Sequence, residues 1–401
     1  MSLDMTTFAS ALKQHYTSDR VENMVYQDNP LLALLPKYEQ FGGKNLPIPI
    51  IFGNPQGRSA VFATAQANKT NSQLKDFVLT RNQDYSLASI SNEVLEASKG
   101  NANAFMEAAT TEIDGAIHSA ARSLAVALYG TGSGTIGRVA NSSFATPVLT
   151  LTNPDDVTNF EVGMRLQAST ADGGGAVKSG TLLVTGVDRD LGTVTMSGNL
   201  SAGIATIAQN DYVFVEGDYD AKVKGLRAWL PDSAPTSTPF FSVDRTADVT
   251  RLAGIRFDGS AMPIEEALIS AASRVAREGG RPTHCMMNYS EYADLEKALG
   301  SKVQYVDLKV SADIGFRGIV INGPRGPIKC VPDQNCPSGR AFMIQLDVWK
   351  LYSLGKAPKI LDADGMKMLR ESSADAVEVR VGYYAQLGSR APGWNANIKL
   401  K

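Results

Sequence analysis

Gly132, Gly134 and Gly137 stand in the spacing G-x-G-x-x-G, the loop that cradles a dinucleotide pyrophosphate. That chemistry needs a buried strand before the loop and a helix after it, because the phosphates sit on the helix N-terminus. Here the order is reversed. Phe105, Ala109, Ile113, Ala116, Ala120, Leu124 and Leu128 precede the glycines at steps of three and four, one apolar stripe on a helix. Arg138-Val-Ala-Asn-Ser-Ser follows, with no helical period and no acidic residue ending a second strand. The glycines read as a joint, and no cofactor is expected.

The other reactive residues are as scattered. His15, His118 and His284 are the three histidines, and none has a second histidine or cysteine at ligand spacing. Cys330-x5-Cys336 with two prolines is not a zinc knuckle, and Cys285 stands alone beside His284. Three cysteines cannot all pair, which fits a reducing compartment and free thiols. A nucleophile elbow needs a strand-to-helix turn, whereas the nearest approach, Gly130-x-Gly-Ser-Gly134, follows a helix. Asp188-Arg-Asp190-Leu-Gly192 and Asp362-Ala-Asp364-Gly365 resemble pieces of calcium loops but lack the remaining acidic ligands. Both read as turns between strands. No catalytic constellation emerges, so neither an enzyme nor a metal site is expected.

Composition points the same way. The 401 residues carry 39 Lys plus Arg against 41 Asp plus Glu, with 43% hydrophobic and 20% charged residues. A chain of this length suggests two or three domains with ample core. It has no basic excess for tight phosphate binding. MSLDMTTFASALKQHY has an early Asp and no apolar core, so a secretory signal is not expected. No run approaches the ~18 apolar residues that span a bilayer.

The elements that must position these residues fall into a definite order. Residues 1–41 mix a short helical start with NPLLALLPKYEQFGG, interrupted by Pro30, Pro36 and Gly42-Gly43. In 42–90, Pro47 and Pro49 suit an edge strand, Gly53-Asn-Pro-Gln-Gly57 a turn, and 75–90 a long strand. This stretch reads as an extended loop with little apolar surface of its own. Asn92 can cap a short helix closed by Gly100, and Asn103 a long one ending near Tyr129, a rod of roughly 39 Å with Gly115 as a bend point. From 141 to 217 the texture changes to PVLTLT, GTLLVTGV, GTVTMSG and DYVFVEG, with turns about every 10 residues. That predicts a separate small β-barrel or sandwich without helices. The chain then returns to α/β character. Pro263 opens a helix that Gly279-Gly280 ends, followed by strand THCMMN, helix YSEYADLEKAL, and strands GIVING, PIKCVP, AFMIQLD and WKLYSLG. Val377 to Leu387 alternates as a half-buried strand.

This arrangement resembles the major capsid protein of tailed bacteriophages, the Hong Kong 97-type fold. The likeness is strongest at VENMVYQDNPLLALLPKYEQFGGKNLPIPI (21–50), NEVLEASKGNANAFMEAATTEIDGAIHSAARSLAVALYG (92–130) and GRPTHCMMNYSEYADLEKAL (280–299). It covers nearly the whole chain except 141–217. The resemblance implies an α+β fold in six parts. These are an N-terminal arm (1–41), an E-loop with the start of the P-domain (42–91), and the P-domain spine helix (92–140). An inserted β domain (141–217), a mainly A-domain region with P-domain strands (218–365) and C-terminal P/A strands (366–401) follow. The glycines 130–137 become the exit from the spine helix into the insertion.

The implied function is a shell. Pentamers and hexamers of one chain would close an icosahedral head around double-stranded DNA, contacted non-specifically, with a portal at one vertex and no membrane. The arm before the E-loop lacks a ~100-residue helical extension of the kind that acts as a built-in scaffold. A separate scaffolding protein is therefore expected, with assembly in the host cytoplasm and the virion as destination. An extended loop without its own core must bury its surface on other copies. Arg58, Phe62, Lys69 and Lys75 are the expected inter-subunit contacts. An encapsulin-like compartment shell, or another phage structural protein of the tail or decoration type, is the alternative reading.

Overall fold

The computed structural model describes residues 24–26, 28–93, 102–300, 305–309, 315–362, 368–371 and 374–400. Its spine is the 28-residue helix Ala102–Tyr129, about 42 Å long at 1.5 Å per residue. Ile113, Ile117, Ala120, Ala121, Leu124 and Leu128 are buried along one side at helical spacing, so the apolar stripe seats the rod on the body. The helix already includes Asn103, which therefore lies inside it rather than capping it. The expected short helix between Asn92 and Gly100 lies outside the described residues.

One fourteen-residue strand, Ala376–Ser389, organises the sheet beneath that helix. Strand Asn82–Ser91 pairs antiparallel along one edge, from Ala376↔Ser91 to Ala385↔Asn82. Trp349–Ser353, Lys359–Ile360 and Leu369–Arg370 share its other edge. Val377, Val379, Val381, Tyr383, Ala385 and Leu387 are all buried, as the alternation predicts.

A second, seven-stranded mixed sheet carries the α/β half. Its order is Ile255–Asp258, Ala396–Lys399, Arg340–Ile344, His284–Met287, Gly326–Pro332, Gly315–Gly323 and Tyr305–Lys309. The sheet is covered on both faces, and the period-2 pattern decides which side chain goes where. Cys285, Met287, Ala341 and Met343 join Ala267, Leu268, Ala271 and Val275 of helix Ile264–Arg277. Met286, Phe342 and Ile344 turn the other way, into the main core with Leu128 and Tyr129 of the long helix. The buried Asp333 carboxylate sits between these layers, taking hydrogen bonds from the Tyr129 hydroxyl (2.8 Å) and the Leu31 amide (3.2 Å). It thus ties the short N-terminal helix Pro30–Leu34 to the end of the spine.

The region around 141–217 is a closed barrel. Its strands run Thr135–Arg138, Tyr212–Val215, Arg165–Ser169, Leu182–Asp188, Thr193–Met196 and Val148–Thr150. The two ends meet where Val139 bridges Leu151, with Thr152 N donating to Arg138 O at 2.8 Å. A core of its own fills it, including Val139, Leu149, Phe160, Leu166, Val184, Val194 and Val213. Its first strand precedes residue 141, so the C-terminal part of the glycine joint is itself barrel wall. A short helix, Leu200–Gly203, also interrupts the all-strand pattern.

Candidate functional site

An antiparallel hairpin, Asn45–Gly53 with Gln73–Thr80, projects from this body. Its base is core: Ile48, Ile50, Phe77 and Leu79 are buried, and Phe77 packs on Trp229 with ring centroids 5.0 Å apart. Further out, the chain holds its own hairpin by polar contacts. Lys75 Nζ donates to Asp244 O (2.8 Å), Val78 N to Phe241 O (3.0 Å), and Arg251 to Phe52 O (2.5 Å). The expected long strand over 75–90 is two strands that part at Arg81, whose guanidinium stacks 5.1 Å from the Phe41 ring centroid. Each strand keeps its own alternation, so the break lets the hairpin leave the sheet that Asn82–Ser91 joins.

From Ile51 outward the hairpin is largely uncovered. The cross-strand pair Ile51 and Leu74 is 62% and 56% exposed, and Phe62, at the start of helix Phe62–Ala67, is 80% exposed. Arg58 and Lys69 are exposed nearby, and Gln56 N donates to Thr70 Oγ1 at 2.7 Å across the tip. Of the four expected contact residues, the structure thus places Arg58, Phe62 and Lys69 together at a bare end. Lys75 lies lower and is engaged within its own chain.

The glycine joint holds protein instead of phosphate space. Gly132 and Gly134 adopt φ of +94° and +79°. A Cβ on Gly134 would stand 2.5 Å from Asp218 O, and one on Gly132 2.7 Å from the Lys224 side chain. Residues 218–224 are the turn-and-coil return from the barrel, so the loop is tight because two chain crossings lie side by side. Gly137 points at Phe160 and Leu151 inside the barrel.

Under this crossing lies a polar cluster that spacing alone could not reveal. Lys222 Nζ sits 2.6 Å from Asp84 and 3.1 Å from Asp218, and also donates to Ser123 Oγ at 2.9 Å. Ser123 and Tyr383 donate to the same Asp84 oxygen at 2.6 and 3.3 Å. Burial pushes the Asp218 carboxyl up, against the pull of Lys222, and pushes the Tyr383 phenol well up. The cluster opens into a cleft of about 720 Å³ between the long helix and the barrel. His118 and Gly115 line its helix side, and Glu161, Val162 and Glu216 its barrel side.

The remaining titratable candidates do not converge. Cys285, Cys330 and Cys336 are free and buried, with Cys285 opposite Cys330 across paired strands. His284 is buried away from His118, and His15 lies outside the described residues. Asp188 accepts from the amides of Asp190 and Leu191, an Asx turn, while most of 362–365 lies outside the described residues. Among the described residues, no group of three or more His, Cys, Asp or Glu could hold a metal ion. No described helix is long and apolar enough to cross a membrane.

The chain is similar to a capsid family over part of its length and to several solved capsid structures over most of it. Residues 205–366 match the family model described as SU10 major capsid protein. The capsid asymmetric unit of cyanophage A-1(L) superimposes with a TM-score of 0.53 at 12% identity, over 93% of this chain and 92% of that one. The capsid of an empty GTA particle gives 0.47 at 8% identity, over 93% and 90%. The procapsid of satellite phage P4 with its size-determination protein gives 0.43 at 12%, over 99% and 97%. No curated protein matches the chain. The fold is the α+β Hong Kong 97-type capsid fold, with a barrel inserted at the end of the spine helix.

Proposed function

We infer that the chain is the major capsid protein of a tailed phage, and that it closes an icosahedral head by passing its hairpin onto neighbouring copies. The match of 205–366 to a major-capsid family, on a body of capsid fold, supports the first part. The observation that carries the second is the bare hairpin tip. Val61, Phe62 and Leu74 are 59%, 80% and 56% exposed on an arm whose stem is tied to its own chain through Lys75 and Phe52. Apolar side chains presented this way on a fixed arm mark a protein contact.

Pentamers and hexamers are the assembly units in this reading, and the virion is the destination. The balanced charge, 39 cations against 41 anions, suits a wall that encloses DNA and contacts it non-specifically. A separate scaffolding protein, a portal at one vertex and assembly in the host cytoplasm complete the proposal. The role is mechanical, with no reaction catalysed. Negative-stain electron microscopy of the purified chain, alone and with the phage's other head proteins, tests it. Closed shells with five-fold vertices are expected. A protein that stays monomeric under both conditions, or forms tubes with tail geometry, overturns the reading.

A further inference from the structure

We propose that Arg245 and Arg256 form a binding site for a small oxoanion of the phosphate class, where the hairpin stem meets the edge of the seven-stranded sheet. Arg245 opens the short helical turn Arg245–Asp248, one residue after the Asp244 carbonyl that holds Lys75 of the stem. Arg256 lies on the edge strand Ile255–Asp258, opposite Asn397. Both border the same stretch of backbone. Arg245 Nη1 donates to Ala228 O (2.9 Å) and Trp229 O (3.3 Å), and Asn397 donates to the next carbonyl, Leu230 O, at 2.9 Å. Ile255 and Phe257 join the core beside helix Ile264–Arg277, so the alternation of the strand turns Arg256 to the opposite side, toward 228–230.

The two cations are buried without the anions they need. Arg245 is 8% exposed and its Nε has no hydrogen-bond partner, and Nη1 of Arg256 is likewise buried and unpartnered. Neither makes an ion pair among the described residues. A third cation, Lys224, shares the Phe240 ring with Arg245, at 5.5 and 4.1 Å from its centroid. The carboxylates on adjoining elements are already engaged. Asp232 binds Arg227 (2.8 Å) and Arg340 (2.5 Å), and Asp248 takes the Arg251 amide (2.8 Å). Asp244 and Asp258 turn back to the hydroxyls of Thr246 and Ser260, each at 2.6 Å. Burial, and then the charge of Arg256, pulls the Arg245 pKa down to about 10, so the guanidinium is still charged at neutral pH.

A buried guanidinium without a counter-charge is costly, and two near one another more so. A tetrahedral oxoanion supplies what is missing. It offers several acceptors at once, and can take hydrogen bonds from Arg245 Nε and Arg256 Nη1 together. At 8% exposure Arg245 lies too deep for the phosphates of a double helix, so the occupant is a free ion. Bound there, it fastens the foot of the hairpin to the sheet edge.

The test is thermal melting of the full-length, unassembled chain in chloride and in inorganic phosphate at matched ionic strength. The wild type should gain about 3 °C at roughly a hundredfold excess of phosphate over its dissociation constant, and go on gaining with the logarithm of concentration. Arg256→Met, at a half-buried position, should lose this gain. In chloride it should melt no lower than the wild type, because a repulsion leaves with the charge. Arg256→Lys, which keeps the charge without the fork, should retain part of the gain. Arg58→Met, on the exposed tip, should keep all of it. A wild type indifferent to phosphate overturns the site and points to a carboxylate of a neighbouring copy as the missing anion. An equal gain in Arg256→Met also overturns it, as a general effect of phosphate on the surface.

Discussion

The Asp84 carboxylate lies 2.6 Å from the Lys222 ammonium, across 138 residues of sequence. Asp84 stands just past the hairpin, on the strand paired with Ala376–Ser389, and Lys222 stands where the chain returns from the barrel. Asn82 reinforces the junction by donating to both Ala221 O and Lys222 O at 2.8 Å. Hairpin, spine helix and inserted barrel are therefore fastened at one point, through Ser123 on the helix.

Replacing Lys222 by Met should be costly. The side chain is 9% exposed and its loss leaves Asp84 and Asp218 facing one another without a cation. Breaking a buried pair from one side typically costs about 3–5 kcal/mol. Asp84, at 15% exposed, is less sequestered, so a loss near the lower end, about 3 kcal/mol, is expected in urea melts of the monomer. Adding Asp84→Asn to Lys222→Met should recover part of it. Additive losses in the double variant would show that the two residues do not act as a pair.

His284 gives a pH signature with a definite sign. Burial, and then the neighbouring Lys329 across the parallel strand pair, lowers its pKa to about 4. The folded chain therefore keeps it neutral while the unfolded chain protonates below its ordinary value of 6.5. Its contribution to stability is whole above pH 6.5 and is lost as pH falls toward 4, a loss of at most about 3 kcal/mol. A His284→Gln variant should flatten the stability profile across that window relative to wild type. Parallel profiles for the two chains would show that the ring is not kept neutral by folding.

The barrel should fold alone only if its first strand is included. A fragment of residues 131–221 contains Thr135–Arg138, the Val139–Leu151 closure and the whole core around Phe160. It should show dispersed amide resonances and a cooperative thermal transition. A fragment of 141–217 lacks the strand that pairs with Tyr212–Val215, which leaves an open edge and a gap where Val139 was buried. It should melt at lower temperature or aggregate. Equal melting of both fragments would mean that the closing strand contributes nothing.

Much of this architecture could be read from local pattern. The spine stripe, helix Ile264–Arg277 after Pro263, the strands after Gly315 and the alternation of Ala376–Ser389 are period signals, and burial follows them. The barrel's start escaped because TIGR follows the loop glycines directly, and nothing local marks those four residues as wall. Arg81 was hidden for a similar reason: both flanking strands alternate, so a run of residues looks continuous where the backbone changes partner. Phe62, Arg58 and Lys69 were legible at the tip, since a polar stretch with one aromatic residue cannot bury itself. The cleft was not. Asp84, Lys222 and Glu216 meet only because the chain leaves the spine and returns beside its own exit, a long-range fact with no short-range trace.

Removing the hairpin tip should separate folding from assembly. Residues 54–74 have no buried side chain, whereas the stem residues Ile48, Ile50, Phe77 and Leu79 belong to the main core. Covering Val61, Phe62 and Leu74 would contribute about 1.5–3 kcal/mol each, but only when another chain supplies the cover. Ordering roughly twenty backbone residues costs about 1–2 kcal/mol apiece, so the tip adds nothing to the stability of an isolated monomer. A short Gly-Ser linker in place of 54–74 keeps Lys75 on Asp244 and Phe77 on Trp229. The deleted chain should therefore keep the circular dichroism of the wild type and melt within about 2 °C of it, a shift that corresponds to less than about 2 kcal/mol for a chain of this length. Expressed with the other head proteins, it should give no closed shells in electron micrographs. Normal particles would remove the hairpin from the assembly contact, and an unfolded monomer would place the tip in the core.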